Sequence, residues 1–422
     1  MSPLKIAFLT TFIDLLGFGI IIPIQPFYAE SFGASPATIT LLGASYSLMQ
    51  FLLSGPIGKL SDRVGRRPVL LVSVVLIMVG YVAFAQATTI TGLFIARIIS
   101  GIGGANLGAA QAIIADVTPP DQRARGMGLI GAAFGLGFVF GPALGGFLGQ
   151  WGVVVPIYAA AFLAFINLCF IYFKLPETLH SLREDRHQET QVNEELEAKS
   201  EADYSSILGQ IWSYQNVPQL LGIALSFTLA FAMMEQTVGL FIEQAWVSES
   251  LSLTERHREA STLTAYFLVA VGVGASIVQG GLIGRLTKRF GEVTLSRAGM
   301  IVVIGTFLAI PWVGAHASFA AMLFIGIIMA CGTGMLHPSR NSLLSQSCPP
   351  EIQGRALGVN QSLSSLGRVI GPASAGFLFE INPNTPFWVG AVVMLISLFF
   401  VFSLSKPHSI TPPSDPSSST SP

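Results

Sequence analysis

Four charged side chains stand where charge is expensive: Asp14, Arg97, Glu235 and Arg368 each interrupt a long apolar run. A charge at the centre of a bilayer costs about 2.5–3.5 kcal/mol on insertion scales, so each needs a partner or a wet cavity. A carboxyl in a poorly hydrated cavity takes up a proton readily, whereas one beside a guanidinium or a cationic ligand tends to release it. That competition is proton exchange. Asp14 and Glu235 are the expected proton carriers, with Arg97 and Arg368 setting their proton affinity. At about 1.5 Å per residue, Asp14 falls about 13 Å inside one end of its run and Arg97 about 8–10 Å inside the opposite end of its own. Arginine's reach closes that gap, so the two are expected to communicate. The alternative is a static ion pair, in which the charges are tolerated only because they are matched.

The elements that must carry these residues follow from composition. Of 422 residues, 51% are hydrophobic and 11% are charged, against about a quarter charged in soluble domains. Most of the chain therefore belongs in lipid. Windows of roughly 20 apolar residues, the length that crosses a 30 Å hydrocarbon core, recur throughout. Twelve spans are expected, at about 5–27, 39–57, 69–87, 92–115, 126–149, 153–174, 218–242, 262–284, 294–313, 317–338, 355–379 and 386–404. The apolar start contains Asp14 and lacks a small-residue cleavage site, so it reads as a retained helix and not a signal peptide.

Residues 1–175 and 217–405 form two six-helix halves, joined by a charged linker at 176–216 that holds nine of the 23 acids; a Pro/Ser-rich tail, 406–422, is expected to be disordered. Lys and Arg concentrate at Lys59, Arg63, Arg66, Arg67, Arg123, Arg125, Arg285, Lys288 and Arg289. The positive-inside rule then puts both termini and the linker in the cytoplasm. Arg256 and Arg258 are the exceptions.

The halves repeat one another. At an offset of 230 residues, Leu93-Phe94-Ile95 meets Leu323-Phe324-Ile325, Pro119-Pro120 meets Pro349-Pro350, and Gly141-Pro142-Ala143 meets Gly371-Pro372-Ala373. At an offset of 226, Gly58, Leu60, Arg63 and Gly65 meet Gly284, Leu286, Arg289 and Gly291. Parallel repeats of this kind belong to transporters whose halves rock about a midplane site. Each half also contributes one intramembrane acid and one arginine.

Three motifs complete the reading: Gly58-Lys59-Leu60-Ser61-Asp62-Arg63-Val64-Gly65-Arg66-Arg67 between spans 2 and 3; Arg97 with Gly101 and Gly103 in span 4; and Gly137, Gly141, Pro142, Gly145 and Gly146 in span 5. On these the chain resembles the major facilitator superfamily, in particular drug:proton antiporters of the tetracycline- and multidrug-exporter type, over nearly all of residues 4–405. The resemblance implies an all-α integral membrane protein of twelve helices in two pseudo-symmetric six-helix bundles.

It also implies that Asp62 faces the N-terminal end of span 11 and that Arg63 or Arg66 reaches Asp116 below span 4, closing a cytoplasmic gate. The plainer reading of that loop is topogenic charge alone. Asp62 becomes Lys288 and Asp116 becomes Gln346 in the second half, so the gate is expected in the first half only. The span 5 glycines match an antiporter motif, although Gly-x-x-x-Gly also serves ordinary helix packing.

Gln25, Asn106, Gln111, Gln236, Asn360 and Gln361 are polar candidates for a substrate cavity, with Phe18, Tyr46, Phe134, Phe231 and Trp246 as aromatic walls; for each alone, core packing is the commoner role. Asn360-Gln361-Ser362 fits a glycosylation pattern but lies inside a span.

The chain has no HExxH, GxSxG or GxxxxGK[ST] pattern, so neither an enzyme nor an ATP-driven pump is expected. Cys169, Cys331 and Cys348 lack metal-ligand spacing. Neither a cofactor nor a metal is expected. A formal charge of −1 gives no reason to expect nucleic acid. The expected partners are a small-molecule substrate, protons and the lipid of an inner or plasma membrane, with the monomer as the working unit. Proton-coupled export of drugs or other small amphipathic molecules is the favoured function. A metabolite, sugar, siderophore or amino-acid transporter, as symporter or facilitator, is the alternative.

Overall fold

The computed structural model describes residues 3–117, 123–177 and 212–405; most of the linker, the tail and Pro119-Pro120 lie outside them. No strand occurs among the described residues. Span 1 is Pro3–Ile21, span 2 Pro36–Val64, span 3 Arg66–Ala85, span 4 the pair Ile90–Gly104 and Leu107–Val117, span 5 Arg123–Gly149 and span 6 Val155–Lys174. Span 7 is Val217–Trp246, and span 8 runs from Leu253 through Ile277, a π-helical segment Val278–Leu282 and Ile283–Phe290. Spans 9 to 12 are Glu292–His316, Phe319–Gln346, Pro350–Ile381 and Thr385–Ser403. Among the described residues, ten helices are long and apolar enough to cross a bilayer, and span 5 adds the shorter apolar stretch Gly135–Gly149.

Several departures from the expected boundaries bear on chemistry. Span 1 stops at Ile21, and Pro26 begins a separate short helix, Gln25–Glu30; Pro23, which has no N–H to donate, sits in the break. Span 4 is interrupted at Ala105-Asn106 just after Gly103-Gly104, where helix propensity is weakest. Span 8 starts earlier than expected, because Ser252 and Glu255 form a reciprocal capping box. Spans 7 and 10 run on to Trp246 and Gln346. Gly65 and Gly291, equivalent at the 226 offset, have φ of 118° and 78°. Each makes the sharp joint between two spans in a region that side chains disfavour. Gly58, the first residue of the 58–67 motif, lies within the helix of span 2.

Packing reproduces the repeat. Spans 1·5, 1·6, 2·4, 3·4 and 3·6 pack together in the first half, and 7·11, 7·12, 8·10, 9·10 and 9·12 in the second. The halves join through spans 2·11 and 5·8. Large apolar side chains such as Phe162, Phe173, Trp312, Phe324 and Phe399 stay exposed, as a lipid-facing surface requires. The three described cysteines are free.

The halves are in contact at one end, whereas at the other several glycines of the described residues border open space. Opposite the 58–67 loop, a Cβ on Gly376 of span 11 would strike Pro36, Ala37 and Thr40 of span 2, and one on Gly146 of span 5 would strike Ala265 of span 8. Ala37 N–H donates to Glu380 Oε1 at 3.1 Å across the same seam. Toward the loop end, Gly55 and Gly58 of span 2, Gly280, Gly281 and Gly284 of span 8 and Gly358 of span 11 have no atom within 4 Å of a built Cβ.

Candidate functional site

Asp14 is held by two amides. Asn106 Nδ2 donates to Oδ2 at 3.0 Å, and Asn167 Nδ2 donates to Oδ1 at 2.8 Å. The break in span 4 turns Asn106 toward span 1, and Asn167 comes from span 6, where its Nδ2 also reaches the Thr10 carbonyl at 3.3 Å. The expected communication with Arg97 is not a direct contact: Arg97, 4% exposed, donates to Gln25 Oε1 and lies over Phe84 at 4.8 Å and Tyr46 at 5.8 Å. The short Gln25–Glu30 helix brings in that better-placed acceptor. Tyr46 instead lies within electrostatic reach of Asp14, Arg97 and Arg368. Tyr46 also stacks on Phe18 at 5.3 Å and accepts from Gln50 Nε2 at 3.1 Å.

In the second half Glu235 and Arg368 are half-buried and electrostatically coupled, but make no ion pair within 4 Å. Arg368 Nη2 donates to Ser365 Oγ at 3.1 Å, and Glu235 Oε1 has no hydrogen-bond partner. The expectation of one acid and one arginine per half is too simple. Arg340 in span 10 is 2% exposed, its Nε and Nη1 lack hydrogen-bond partners, and among the described residues its one side-chain hydrogen bond is from Nη2 to Asn341 Oδ1 at 3.5 Å. His337, one turn earlier, lies against Phe227 at 4.7 Å and feels both Arg340 and Arg368. Arg340 falls just beyond the expected end of its span; the signal that finds it is the polar stretch His337 to Asn341 inside a continuing helix.

The other cavity candidates divide. Asn360 is 6% exposed with Oδ1 unpartnered, and Gln236 lies against Gly43 of span 2 across the two halves. Gln111 is half-buried, whereas Gln361 is exposed. Phe231 stacks on Phe227 at 5.6 Å. Trp246 does not join the central set: its Nε1 donates to the Ala317 carbonyl at 3.1 Å and its ring packs on Phe319. The Phe134 side chain lies outside the described residues.

The loop between spans 2 and 3 is organised around Arg66, which is 8% exposed. Its Nε lies 3.2 Å from Asp116 Oδ2 and its Nη1 donates to Ser61 Oγ at 2.7 Å. Asp62 has no hydrogen-bond or ion-pair partner in span 11 among the described residues. Its side chain is 59% exposed and pairs with Arg66 across the Gly65 joint. Arg63 is exposed. Arg67 Nη2 donates to the Tyr172 carbonyl at 2.6 Å. Glu177, read only as linker charge, caps span 3 by accepting the Arg66 and Arg67 backbone N–H at 2.9 and 3.1 Å.

The span 5 glycines pack span 5 onto span 1. A Cβ on Gly137 would lie 2.8 Å from Leu15 Cβ, one on Gly141 would lie 2.6 Å from Gly19 Cα, and one on Gly145 would strike the Ile20 carbonyl. Pro142 lies inside the helix. Gly146 alone of the set turns to the other half. Gly141→Val is therefore expected to lower stability by about 1–3 kcal/mol, the usual cost of overpacking, read as a lower midpoint in thermal unfolding of the purified protein. An unchanged midpoint would mean that spans 1 and 5 are not this close.

The comparisons with known proteins agree with this architecture. The chain matches the Major Facilitator Superfamily over residues 7–315 and 260–421. It is 30% identical to the class B tetracycline resistance protein of Escherichia coli over 416 residues, 97% of each chain. It is 26% identical to multidrug resistance protein 2 of Bacillus subtilis (strain 168) over 390 residues, 92% of this chain and 91% of that one. Among solved structures, the human organic anion transporter MFSD10 matches with a TM-score of 0.66 at 22% identity, covering 94% of this chain and 98% of that one. The nucleoside transporter NupG matches with a TM-score of 0.73 at 13% identity, covering 96% and 100%. With duplicated six-helix bundles, charged side chains buried within them and a family match along almost its whole length, the chain belongs to the Major Facilitator Superfamily, as a multi-pass membrane transporter and not an enzyme.

Proposed function

We propose that this transporter is a proton-coupled exporter of small amphipathic molecules, set in an inner or plasma membrane with both termini in the cytoplasm. The observation that carries the reading is the pair of acids in the equivalent spans 1 and 7, neither locked in a salt bridge: Asp14 rests on two amides and Glu235 has a free oxygen. A carboxylate held this way gains or loses a proton without breaking an ion pair, which is what coupling requires. The tetracycline and multidrug resistance relatives supply the substrate class.

With the basic loop in the cytoplasm, the described conformation is open inward. Substrate entering from that side favours proton release from the acids. The halves then rock, and protons arriving from outside displace the substrate.

The test is uptake into inside-out membrane vesicles of tetracycline, a cationic dye and an aromatic carboxylate. Respiration-driven accumulation of one of the first two, collapsed by nigericin, supports the proposal. Accumulation indifferent to the pH gradient contradicts it. The unpartnered guanidinium of Arg340 favours a second reading, a transporter of anionic metabolites, and accumulation of the carboxylate alone would select it.

A further inference from the structure

A second polar cluster lies at the sealed end, away from the acids of the transport site. Glu30 ends the short helix after span 1, Glu243 lies in the last turn of span 7, and His257 lies in the first turns of span 8. Their ligand atoms all lie within 4.8 Å of one another. His257 is 2% exposed and Glu243 5%, whereas the Glu30 side chain is 35% exposed. The cluster joins the first half to the second, where span 2 closes on span 11 and span 5 on span 8.

The group is short of positive charge and of hydrogens. Arg256 Nη2 engages Glu243 Oε1 at 3.1 Å, which leaves one carboxylate charge in excess when the imidazole is neutral. His257 Nε2 lies 3.3 Å from Glu30 Oε2, yet the contact is not aligned as a hydrogen bond, and both atoms are buried without a hydrogen-bond partner. A shared cation would satisfy both buried atoms at once. With metal–ligand bonds of about 2.0–2.1 Å at tetrahedral angles, neighbouring ligand atoms lie about 3.4 Å apart, close to the observed 3.3 Å. Imidazole with carboxylates favours zinc-class ions over magnesium or calcium.

We propose that Glu30, Glu243 and His257 form a binding site for a zinc-class divalent ion that bridges the two halves at their sealed end, with Arg256 as the positioning residue that orients Glu243. Because its ligands come from both halves, the ion binds the sealed state in preference to any state in which these ends part, and so favours the conformation described here.

The test is a Zn2+ titration of the tag-free, full-length purified protein against a chelating fluorophore. Wild type should bind one Zn2+ per chain, with a matching rise in unfolding temperature that a chelator reverses. His257→Phe keeps an aromatic ring beside Phe27, 5.9 Å away, and should weaken binding at least about tenfold, as should Glu30→Gln. His257→Cys, which supplies a thiolate ligand but no imidazolium, should retain it. Absence of saturable Zn2+ binding by wild type would overturn the proposal. Undiminished binding in His257→Phe would also overturn it, since the native cysteines are unchanged in that variant.

Discussion

Asp14→Asn is expected to reduce transport driven by an imposed pH gradient to the level of empty liposomes, while exchange of substrate for substrate at equal pH continues. Asparagine has the same shape and can still accept from one of the two amides, Asn106 or Asn167, that hold the native carboxylate. The lost hydrogen bond costs about 1 kcal/mol, so the variant should fold and bind. What it lacks is a titratable group. Glu235→Gln should behave similarly, because Glu235 Oε1 has no partner to lose. The larger effect is expected at Asp14, whose two amides fix its geometry, whereas Arg368 influences Glu235 without a bond. Loss of both transport modes together, with a fall in unfolding temperature, would assign these acids a structural role.

The second large effect is expected at Arg66. Arg66→Ala removes a charged partner of Asp116, itself 14% exposed, together with the bonds to Ser61 and Asp62. Breaking a buried charge pair by deleting one member costs about 3–5 kcal/mol, so this variant should express poorly and unfold at a markedly lower temperature. Asp62→Asn is the contrast. Its exposed side chain makes one ion pair, with Arg66 across the Gly65 joint, so stability should hardly change. If Asp62 moves to the N-terminus of span 11 when this end closes, transport slows while substrate affinity is preserved. Normal transport by a fully expressed Asp62→Asn protein would reduce the loop to a topology signal.

The bundle and its repeat are legible in the sequence because apolar length, prolines and glycines recur at fixed offsets, and they reappear as equivalent packing in both halves. Asp14, Arg97, Glu235 and Arg368 are equally visible, since a charge within an apolar run has few explanations. Their partners are not. An amide such as Asn106 or Asn167 is as compatible with core packing as with a carboxylate, and only the break at Ala105-Asn106 brings the former to Asp14. Arg340 and Glu243 are missed because hydropathy ends their spans a few residues before the helices do. His257 is hidden in an expected loop that the Ser252–Glu255 capping box converts into helix. The Glu30, Glu243 and His257 cluster unites residues far apart in the chain and becomes visible only once the halves are assembled. Asp62 shows a different limit: it pairs here with Arg66, and its expected contact with span 11 is a proposal that concerns a closed loop end.

The central claim is that substrate and protons cross this protein in opposite directions through a coupled cycle. It is tested most directly by loading proteoliposomes with a transported substrate and a pH-sensitive dye, with no initial pH gradient, and recording luminal pH as substrate leaves. Coupled exchange predicts luminal acidification in step with substrate efflux, and none with Asp14→Asn. Substrate efflux from wild-type liposomes at constant luminal pH would contradict it, and a facilitator would take its place.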